Sequence, residues 1–221
     1  MTVINSNYKL IFVHIPKTGG TSVTNFFSRI STPIDIEIGG TLLGELVQGE
    51  YIKRFSIAKH STASAIKNSL GDEIWQKYHK ITVVRDPISR FLSTFNFLRQ
   101  WHSGDDIFFN RISSFDDIND FIKADFIFEE KIPDNMFLPQ THWVVENDKC
   151  IVDAILKIEK IDSDLKLLIK EKNIKFNVNN FELSKDNTSG NQGAVLTQLT
   201  EDSTVKLKSI YKEDYVYFNY V

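Results

Sequence analysis

The chain has 221 residues, of which 42% are hydrophobic and 25% are charged, a composition typical of one ordinary globular domain. Its formal net charge is −3, so bulk electrostatics favour neither a nucleic acid nor an anionic membrane surface as a partner. The single cysteine, Cys150, excludes an intrachain disulfide and fits a reducing compartment. No apolar run reaches the roughly 18 residues of a membrane span. We therefore expect one domain over residues 1–221, in the cytoplasm.

Strands and helices alternate in the first half of the chain. An apolar run predicts a buried strand at 8–15, and a helix follows whose apolar residues recur at helical spacing: Val23, Phe26, Phe27 and Ile30. Residues 55–58 predict a short strand, and the β-branched run at 81–85 predicts a clearer one. Asp86 as N-cap and Pro87 at the first position then open a helix. The apolar stripe of that helix is formed by Ile88, Phe91, Leu92 and Phe95.

The second half of the chain is less regular but returns to the same rhythm. We predict a helix from Ser114 to about Ala124, a strand at 151–158, and helices at about 162–172 and 201–213. The polar stretch 173–198 predicts a loop that is either ordered over a site or mobile. Together these elements predict an α/β fold, a P-loop-like three-layer sandwich with a central parallel sheet of about four or five strands flanked by helices. In such sheets, ligands bind beyond the carboxyl ends of the strands.

The segment IFVHIPKTGGTS, residues 11–22, predicts an anion-binding loop at a strand end. Backbone N–H groups and the positive end of the helix dipole converge there. Gly19 and Gly20 permit a backbone path that side chains would obstruct, and Lys17 adds a mobile cation. Three residues add hydroxyl donors: Thr18, Thr21 and Ser22. The usual nucleotide loop is disfavoured, because it places its lysine after the final glycine whereas Lys17 precedes both glycines.

A second anion site is predicted where the strand at 81–85 ends. Arg85 offers a bidentate fork to another phosphate group beside the start of a helix. Ser93 lies eight residues further on and reaches the same group if the ligand lies along that helix. Asp86 stands where a P-loop NTPase places a magnesium-holding aspartate, but an aspartate before proline at a helix start is more simply an N-cap.

Two stretches together resemble a known family. The segments HIPKTGGTS and VVRDPISRFLSTF are similar to the 5′-phosphosulfate loop and the 3′-phosphate motif of sulfotransferases that use 3′-phosphoadenosine 5′-phosphosulfate (PAPS). The closest likeness is to the carbohydrate sulfotransferase branch that includes heparan sulfate 2-O-sulfotransferase, and to its bacterial relatives. Weaker likeness continues through KHSTA (59–63), PQTHWV (139–144), ILKIEKIDSDLKLL (155–168), DNTSG (186–190) and the C-terminal segment 210–220.

The resemblance implies a donor and residues that bind it. PAPS would be the sulfate donor and adenosine 3′,5′-bisphosphate the product. The 5′-phosphosulfate would be held by Lys17, Thr18, Gly19, Gly20, Thr21 and Ser22. Arg85 and Ser93 would hold the 3′-phosphate. PAPS carries phosphate groups at both ends of its ribose, which supplies a reason for two anion sites.

The reaction implied is in-line attack of an acceptor hydroxyl on sulfur. Lys17 would stabilise the charge that develops on the bridging oxygen. His60 follows the strand predicted at 55–58 and matches in position the histidine that serves as base in the heparan sulfate branch, so we expect it to take the acceptor proton. Glu159, at the end of the strand predicted at 151–158, is the alternative base. This chemistry requires no metal.

Two other functions remain open at the level of sequence. A small-molecule kinase with a variant loop would need magnesium and ATP, and the missing order Gly-Lys-Ser/Thr argues against it. A non-catalytic nucleotide-binding module would keep the anion site without turnover. We expect the acceptor to be a glycan or a small hydroxyl-bearing molecule, and we expect residues 102–145 and 179–195 to shape its cleft.

Overall fold

The computed structural model of the chain describes residues 1–100, 107–124, 136–176 and 194–221. The strands are β1 Thr2–Asn5, β2 Leu10–Val13, β3 Ile36–Ile38, β4 His79–Val84, β5 Val145–Glu146, β6 Lys149–Cys150 and β7 Ala154–Lys157. The helices are α1 Gly20–Ile30, α2 Leu42–Phe55, α3 Ala63–Leu70, α4 Asp72–Lys77, α5 Pro87–Gln100, α6 Ile107–Ser113, α7 Ile118–Lys123, α8 Thr141–Val144, α9 Ile161–Glu171, α10 Glu201–Ile210 and α11 Lys212–Tyr217. Short 3₁₀ helices cover Ile158–Lys160 and Leu196–Gln198.

The chain divides into two compact units, each with a hydrophobic core of its own. Of the described residues, unit 1 contains 1–84 and 141–176. Unit 2 contains residues 85–100, 107–124, 136–140 and 194–221. The assignment of the whole chain to a single domain stays a prediction.

Unit 1 is built on a mixed sheet, formed within the described residues by five strands in the order β3-β1-β2-β4-β7. Strands β2, β4 and β7 are parallel, and their register pairs Phe12 with Ile81 and Ile81 with Ala154. Strand β1 runs antiparallel to both of its neighbours. The carboxyl ends of β2 and β7 therefore open at the same edge of the sheet, and the loop at 14–19 and the 3₁₀ helix at 158–160 begin there.

Helices lie on both faces of this sheet. On one face Phe12 and Ile81 belong to a core shared with Phe27 of α1 and Leu165 of α9, all of them fully or almost fully buried. On the other face the Lys80 ammonium lies 5.5 Å from the ring centre of Trp75 in α4. The apolar spacing predicted for α1 is confirmed by this burial, and α9 agrees with the helix predicted at about 162–172. The α/β three-layer fold predicted from the sequence is confirmed.

The core of unit 2 surrounds α5. The stripe predicted for this helix is buried in a cluster with residues of α7, α10 and the segment at 136–137. Asp86 caps the helix as predicted, because its Oδ1 accepts a hydrogen bond of 2.8 Å from the backbone N–H of Ser89. This cap satisfies one of the donors that a helix start leaves without an intrahelical partner.

The strand predicted at 55–58 is wrong, because helix α2 extends to Phe55. Thr41 starts that helix, since its side chain accepts a hydrogen bond of 3.0 Å from the N–H of Gly44. Ser56 ends it in the left-handed conformation, at φ 54°. The continuous helix predicted from Ser114 to Ala124 is also wrong.

Helix α6 stops at Ser113, and α7 begins only after Asp117, whose carboxylate accepts from the N–H of Asn119 at 2.7 Å. The single helix predicted at 201–213 is two helices in the structure: α10 ends at Ile210, and α11 begins after Tyr211. Most of the loop predicted at 173–198, and with it the segment DNTSG, lies outside the described residues.

Candidate active site

The loop between β2 and α1 contains two residues with positive φ just before the helix starts. Lys17 adopts φ 65° and Gly19 φ 87°, whereas Thr18 between them does not have a positive φ. Such an alternation turns successive N–H groups toward one concave side, which favours anions. Gly19 makes no side-chain cap, and the first turn of α1 contains no acidic residue. Backbone N–H groups and the positive end of the helix dipole at the start of α1 could therefore interact with an anion.

Both glycines of the loop lie against side chains of unit 1. A Cβ atom on Gly20 would come within 2.2 Å of Nε2 of His14, and one on Gly19 within 2.2 Å of Cδ1 of Ile158. Ile158 begins the 3₁₀ helix that follows β7. The two glycines thus permit close packing of the loop on the sheet edge, a requirement that the sequence motif alone does not reveal.

The hydroxyl groups predicted to bind the anion divide into two cases. Thr18 is fully buried, and its Oγ1 donates a hydrogen bond of 2.9 Å to the carbonyl oxygen of Ile15. The hydroxyl of Thr18 therefore closes the loop on itself, and the contribution of Thr18 to an anion would come from its backbone. Thr21 and Ser22 lie in the first turn of α1, but their hydroxyl groups lie outside what the structure describes.

His60 contacts His14, whose ring lies beside Gly20 of this loop. The two imidazole rings lie 4.5 Å apart between centres, and Nδ1 of His60 lies 3.1 Å from the carbonyl oxygen of His14. Because a carbonyl only accepts hydrogen bonds, Nδ1 of His60 carries the proton and Nε2 is the basic nitrogen. Trp143 holds the backbone of the same residue, since its Nε1 donates 3.0 Å to the carbonyl of His60.

The electrostatics of this pair keep both histidines neutral. Burial, followed by the positive charge of the N-terminal amino group, lowers the pKa of His60 to about 3. The hydrogen bond to the His14 carbonyl opposes that shift. The pKa of His14 is also lowered well below its usual value, chiefly by burial. Nδ1 of His14 meets the amino group of Met1, and its Nε2 has no hydrogen-bond partner among the described residues.

The second predicted anion site belongs to unit 2. Arg85 precedes α5, and its backbone N–H donates 2.9 Å to Oε1 of Gln140. Nε2 of the same glutamine donates 2.8 Å to the carbonyl of Arg85. Ser93 lies on α5 and is half-buried. Lys17 to Ser22 and His60 thus belong to unit 1, and Arg85 and Ser93 to unit 2.

Glu159, the alternative base, is exposed on the 3₁₀ helix after β7. Its neighbour Ile158 is the residue that contacts Gly19, so the carboxylate stays a candidate. Residues 1–100, 107–124, 136–176 and 194–221 contain no cluster of three or more His, Cys, Asp or Glu side chains that could hold a metal ion. No helix in those same ranges is long and apolar enough to cross a membrane.

Sequence reasoning missed the two residues that hold the backbones of the candidates. Gln140 holds Arg85 from 55 residues away, and Trp143 holds His60 from 83 residues away. Their only signal was a weak family likeness in PQTHWV, which carries no pattern of its own. Contacts at such separations leave no local periodicity in a single sequence.

A family model described as "Sulfotransferase family" matches residues 1–221, the full sequence. Searches of curated proteins and of solved structures return no match. The family match confirms the predicted enzyme class, a transferase of sulfuryl groups, and it extends over both units. On this evidence, the chain belongs to the sulfotransferase family.

Proposed function

We propose that the chain transfers a sulfuryl group from PAPS to a hydroxyl of a carbohydrate or saccharide-containing acceptor, by in-line displacement. The observation that carries this proposal is the loop before α1, where positive φ angles at Lys17 and Gly19 precede a helix start without a side-chain cap. The likeness of HIPKTGGTS and VVRDPISRFLSTF supports placement in the carbohydrate and heparan sulfate 2-O-sulfotransferase branch. We keep the cytoplasm as the proposed compartment, on the basis of the single cysteine.

The residues present fit such a donor. The backbone N–H groups at the start of α1, together with Lys17, suit the 5′-phosphosulfate, because no acidic residue in the first turn opposes the anion. Arg85, whose backbone is fixed on both sides by Gln140, suits the 3′-phosphate, and Ser93 adds a hydroxyl on α5. PAPS, when bound, supplies the sulfuryl group and a good leaving group.

Lys17 and the loop act on the negative charge that builds up on the leaving group. A preorganised ammonium and a set of N–H groups stabilise such charge without reorganising at the moment of reaction. The positive φ of Lys17 places a non-glycine residue in a backbone conformation that costs free energy. The buried Thr18 hydroxyl, bonded to the Ile15 carbonyl, helps to hold that conformation.

His60 is the proposed base. The bond from its Nδ1 to the His14 carbonyl leaves Nε2 unprotonated, which is the form that accepts a proton from a hydroxyl. A pKa of about 3 makes this nitrogen a weak base in the free chain. We expect a bound polyanionic donor to raise that pKa, because nearby negative charge stabilises the imidazolium. Glu159 is the alternative base.

Thermal unfolding with two ligands tests the donor. Adenosine 3′,5′-bisphosphate at about 100 times its dissociation constant should add about 2.7 kcal/mol to the free energy of unfolding. Mg-ATP at the same concentration should add much less, since it lacks the 3′-phosphate that Arg85 would bind. Stabilisation by Mg-ATP without stabilisation by the bisphosphate would instead favour a kinase.

Transfer of labelled sulfate from PAPS tests turnover and the acceptor. The panel should contain saccharides, glycolipids and simple phenols, and we expect label to appear in saccharide hydroxyls. Label in phenols alone would contradict the carbohydrate assignment while leaving the donor intact. Tight binding of the bisphosphate with no transfer to any acceptor would point to a non-catalytic binding module.

A further inference from the structure

The backbone of Arg85 is held by one side chain at two points. Oε1 of Gln140 accepts from the Arg85 N–H at 2.9 Å, and Nε2 of Gln140 donates to the Arg85 carbonyl at 2.8 Å. A side-chain amide that pairs with both backbone groups of one residue fixes its peptide planes much as a neighbouring strand would. Gln140 is fully buried, so water does not compete with these hydrogen bonds.

Gln140 is itself held by a buried carboxylate. Oδ2 of Asp214 accepts 2.8 Å from the backbone N–H of Gln140 and 3.3 Å from its Nε2. Asp214 is fully buried, and burying a charge is costly unless the charge is hydrogen-bonded. Its carboxylate fixes both the backbone and the amide orientation of Gln140.

Buried side chains of unit 2 also form hydrogen bonds to the residues just before Gln140. The guanidinium of Arg90 donates to the carbonyl of Met136 at 2.9 Å and also to the carbonyl of Leu138. The hydroxyl of Tyr211 donates 2.8 Å to the carbonyl of Phe137. Arg90 and Tyr211 are both fully buried. Four of the five residues at 136–140 are thus hydrogen-bonded to buried side chains, which leaves Gln140 little freedom to move.

We propose that Gln140 is the positioning residue for Arg85, and that this network aligns the arginine for the 3′-phosphate of the nucleotide. The inference rests on the proposed function, in which Arg85 binds that phosphate. A bidentate guanidinium contact requires a defined direction of approach, and a side chain is directed by its backbone. If the support is removed, the specific preference for a 3′-phosphate should fall while binding of the rest of the nucleotide persists.

Calorimetric titration with two nucleotides tests this inference. For each variant, the affinity for adenosine 3′,5′-bisphosphate is divided by the affinity for adenosine 5′-phosphate, which lacks the 3′ group. Gln140→Met removes the paired hydrogen bonds while keeping the size of the side chain. We expect this ratio to fall about tenfold or more, toward its value in Arg85→Ala, since hydrogen bonds to charged groups are typically worth that much. A partly unfolded protein weakens both affinities by the same factor, so the ratio does not respond to folding alone.

Asn96 provides a matched control. Its amide also pairs with both backbone groups of one residue, because Nδ2 donates 2.9 Å to the Ala194 carbonyl and Oδ1 accepts 2.7 Å from the Ala194 N–H. Asn96→Leu therefore removes the same kind of support elsewhere in unit 2, and we expect it to keep the ratio of the unaltered chain. A ratio that falls equally in Asn96→Leu and Gln140→Met would overturn a specific role for Gln140.

The remaining outcomes separate this inference from the function on which it rests. If the unaltered chain does not distinguish the two nucleotides, the proposed function fails. If the unaltered chain prefers the bisphosphate and Gln140→Met keeps that preference, only the inference fails. Should Gln140→Met not fold, Tyr211→Phe removes a single hydrogen bond of the network without a change of charge. We expect that variant to lower the ratio by a smaller factor, and an unchanged ratio would overturn the inference.

Discussion

The two candidate anion sites of this chain are assembled in different ways. In unit 1, residues 17–22 follow one another in the sequence, and their loop takes its shape from its own φ angles and from contacts with His14 and Ile158. In unit 2, the backbone of Arg85 is held by Gln140 from 55 residues away, and Gln140 is held by Asp214 from a further 74. In the proposed function, the contiguous motif carries the chemistry and the dispersed network holds the residue that recognises the nucleotide.

This contrast gives opposite expectations for substitutions in the two units. Changes at the loop and at His60 should affect turnover more than the preference for a 3′-phosphate. Changes at Arg85 or at its support should affect that preference more than the chemical step. Four substitutions or conditions in unit 1 test that half of the comparison, beginning with the largest expected effect.

His60→Ala should reduce kcat by about 10² to 10⁴-fold, the usual contribution of a general base. Binding of adenosine 3′,5′-bisphosphate should stay close to that of the unaltered chain, because His60 acts on the acceptor. Steady-state kinetics with PAPS and calorimetry with the bisphosphate measure the two quantities. His79→Gln is the matched control, since His79 begins β4 at the end of the strand opposite to the site. Equal turnover in His60→Ala and His79→Gln would remove His60 as the base and leave Glu159.

Lys17→Ala should reduce kcat by about 10² to 10³-fold, as expected when one donor to a developing negative charge is removed. The reduction should appear equally in kcat and kcat/KM, because the interaction forms in the transition state. Lys77→Ala is the control, since Lys77 forms an exposed ion pair with Glu73 on α4 and should leave both constants unchanged. A rise in KM for PAPS at constant kcat would instead make Lys17 a general ligand of the donor, and the contrast between the two units would weaken.

Much of unit 1 was predictable because its signals are local. A short stretch of sequence is enough to recognise the apolar spacing of α1 and the loop of residues 16–22. The same holds in unit 2 for the cap formed by Asp86 and the apolar stripe of α5. Strands β1 and β3 were missed because each contains only two large apolar residues, whereas β2 and β7 lie within longer apolar runs. Helix α2 was missed because most of its large apolar residues are exposed, so its sequence carries no clear stripe.

The supports of the candidate residues were not predictable for a different reason. The pairing of His60 with the His14 carbonyl spans 46 residues, and neither residue indicates the other. Gln140 had only the weak family likeness of PQTHWV, since a buried glutamine is recognised as a support only when its backbone partners are known. The sequence therefore supplied candidates for the groups that would touch a ligand, which stay predictions, and the structure was needed for the groups that hold those candidates in place.

Gly20→Ala tests whether the loop depends on its contact with His14. The added Cβ would lie 2.2 Å from Nε2 of the imidazole, so the ring or the helix start must shift. We expect the free energy of unfolding, measured in urea, to fall by about 1 to 3 kcal/mol, as for other overpacked sites. Gly49→Ala is the matched control in α2, because the Cβ it would add meets no atom within 4 Å apart from its chain neighbours and the backbone of its own helix.

In Gly49→Ala the substitution should raise the free energy of unfolding by about 0.5 to 1 kcal/mol, since alanine favours the helix interior. Opposite signs for the two glycines would establish that packing against His14 sets the requirement for Gly20. If Gly20→Ala stabilised the chain as Gly49→Ala should, the loop would not depend on this contact.

The pH dependence of stability carries the smallest expected effect. The pKa values of His14 and His60 are lowered in the folded chain, so the unfolded chain binds more protons below the usual histidine pKa of about 6.5. The stability that these residues contribute is present above that pH and is lost as the pH falls toward 3, the folded pKa of His60. Burial lowers the pKa of His79 and His142 as well, with the same sign.

The informative quantity is therefore the difference between the unaltered chain and His60→Gln. Urea unfolding should be measured between about pH 5 and pH 6.5, because most carboxylates titrate below this interval. As the pH falls over that interval, the free energy of unfolding should decrease less steeply in His60→Gln than in the unaltered chain. The two slopes should differ by up to one bound proton, which is about 1.4 kcal/mol per pH unit. Identical slopes would mean that His60 is as easily protonated in the folded chain as in the unfolded one. That result would contradict a buried, neutral His60 held by the His14 carbonyl and by Trp143. It would not remove His60 as the base, because an imidazole with the usual pKa is the stronger base near neutral pH, and the kinetics of His60→Ala would still decide its role.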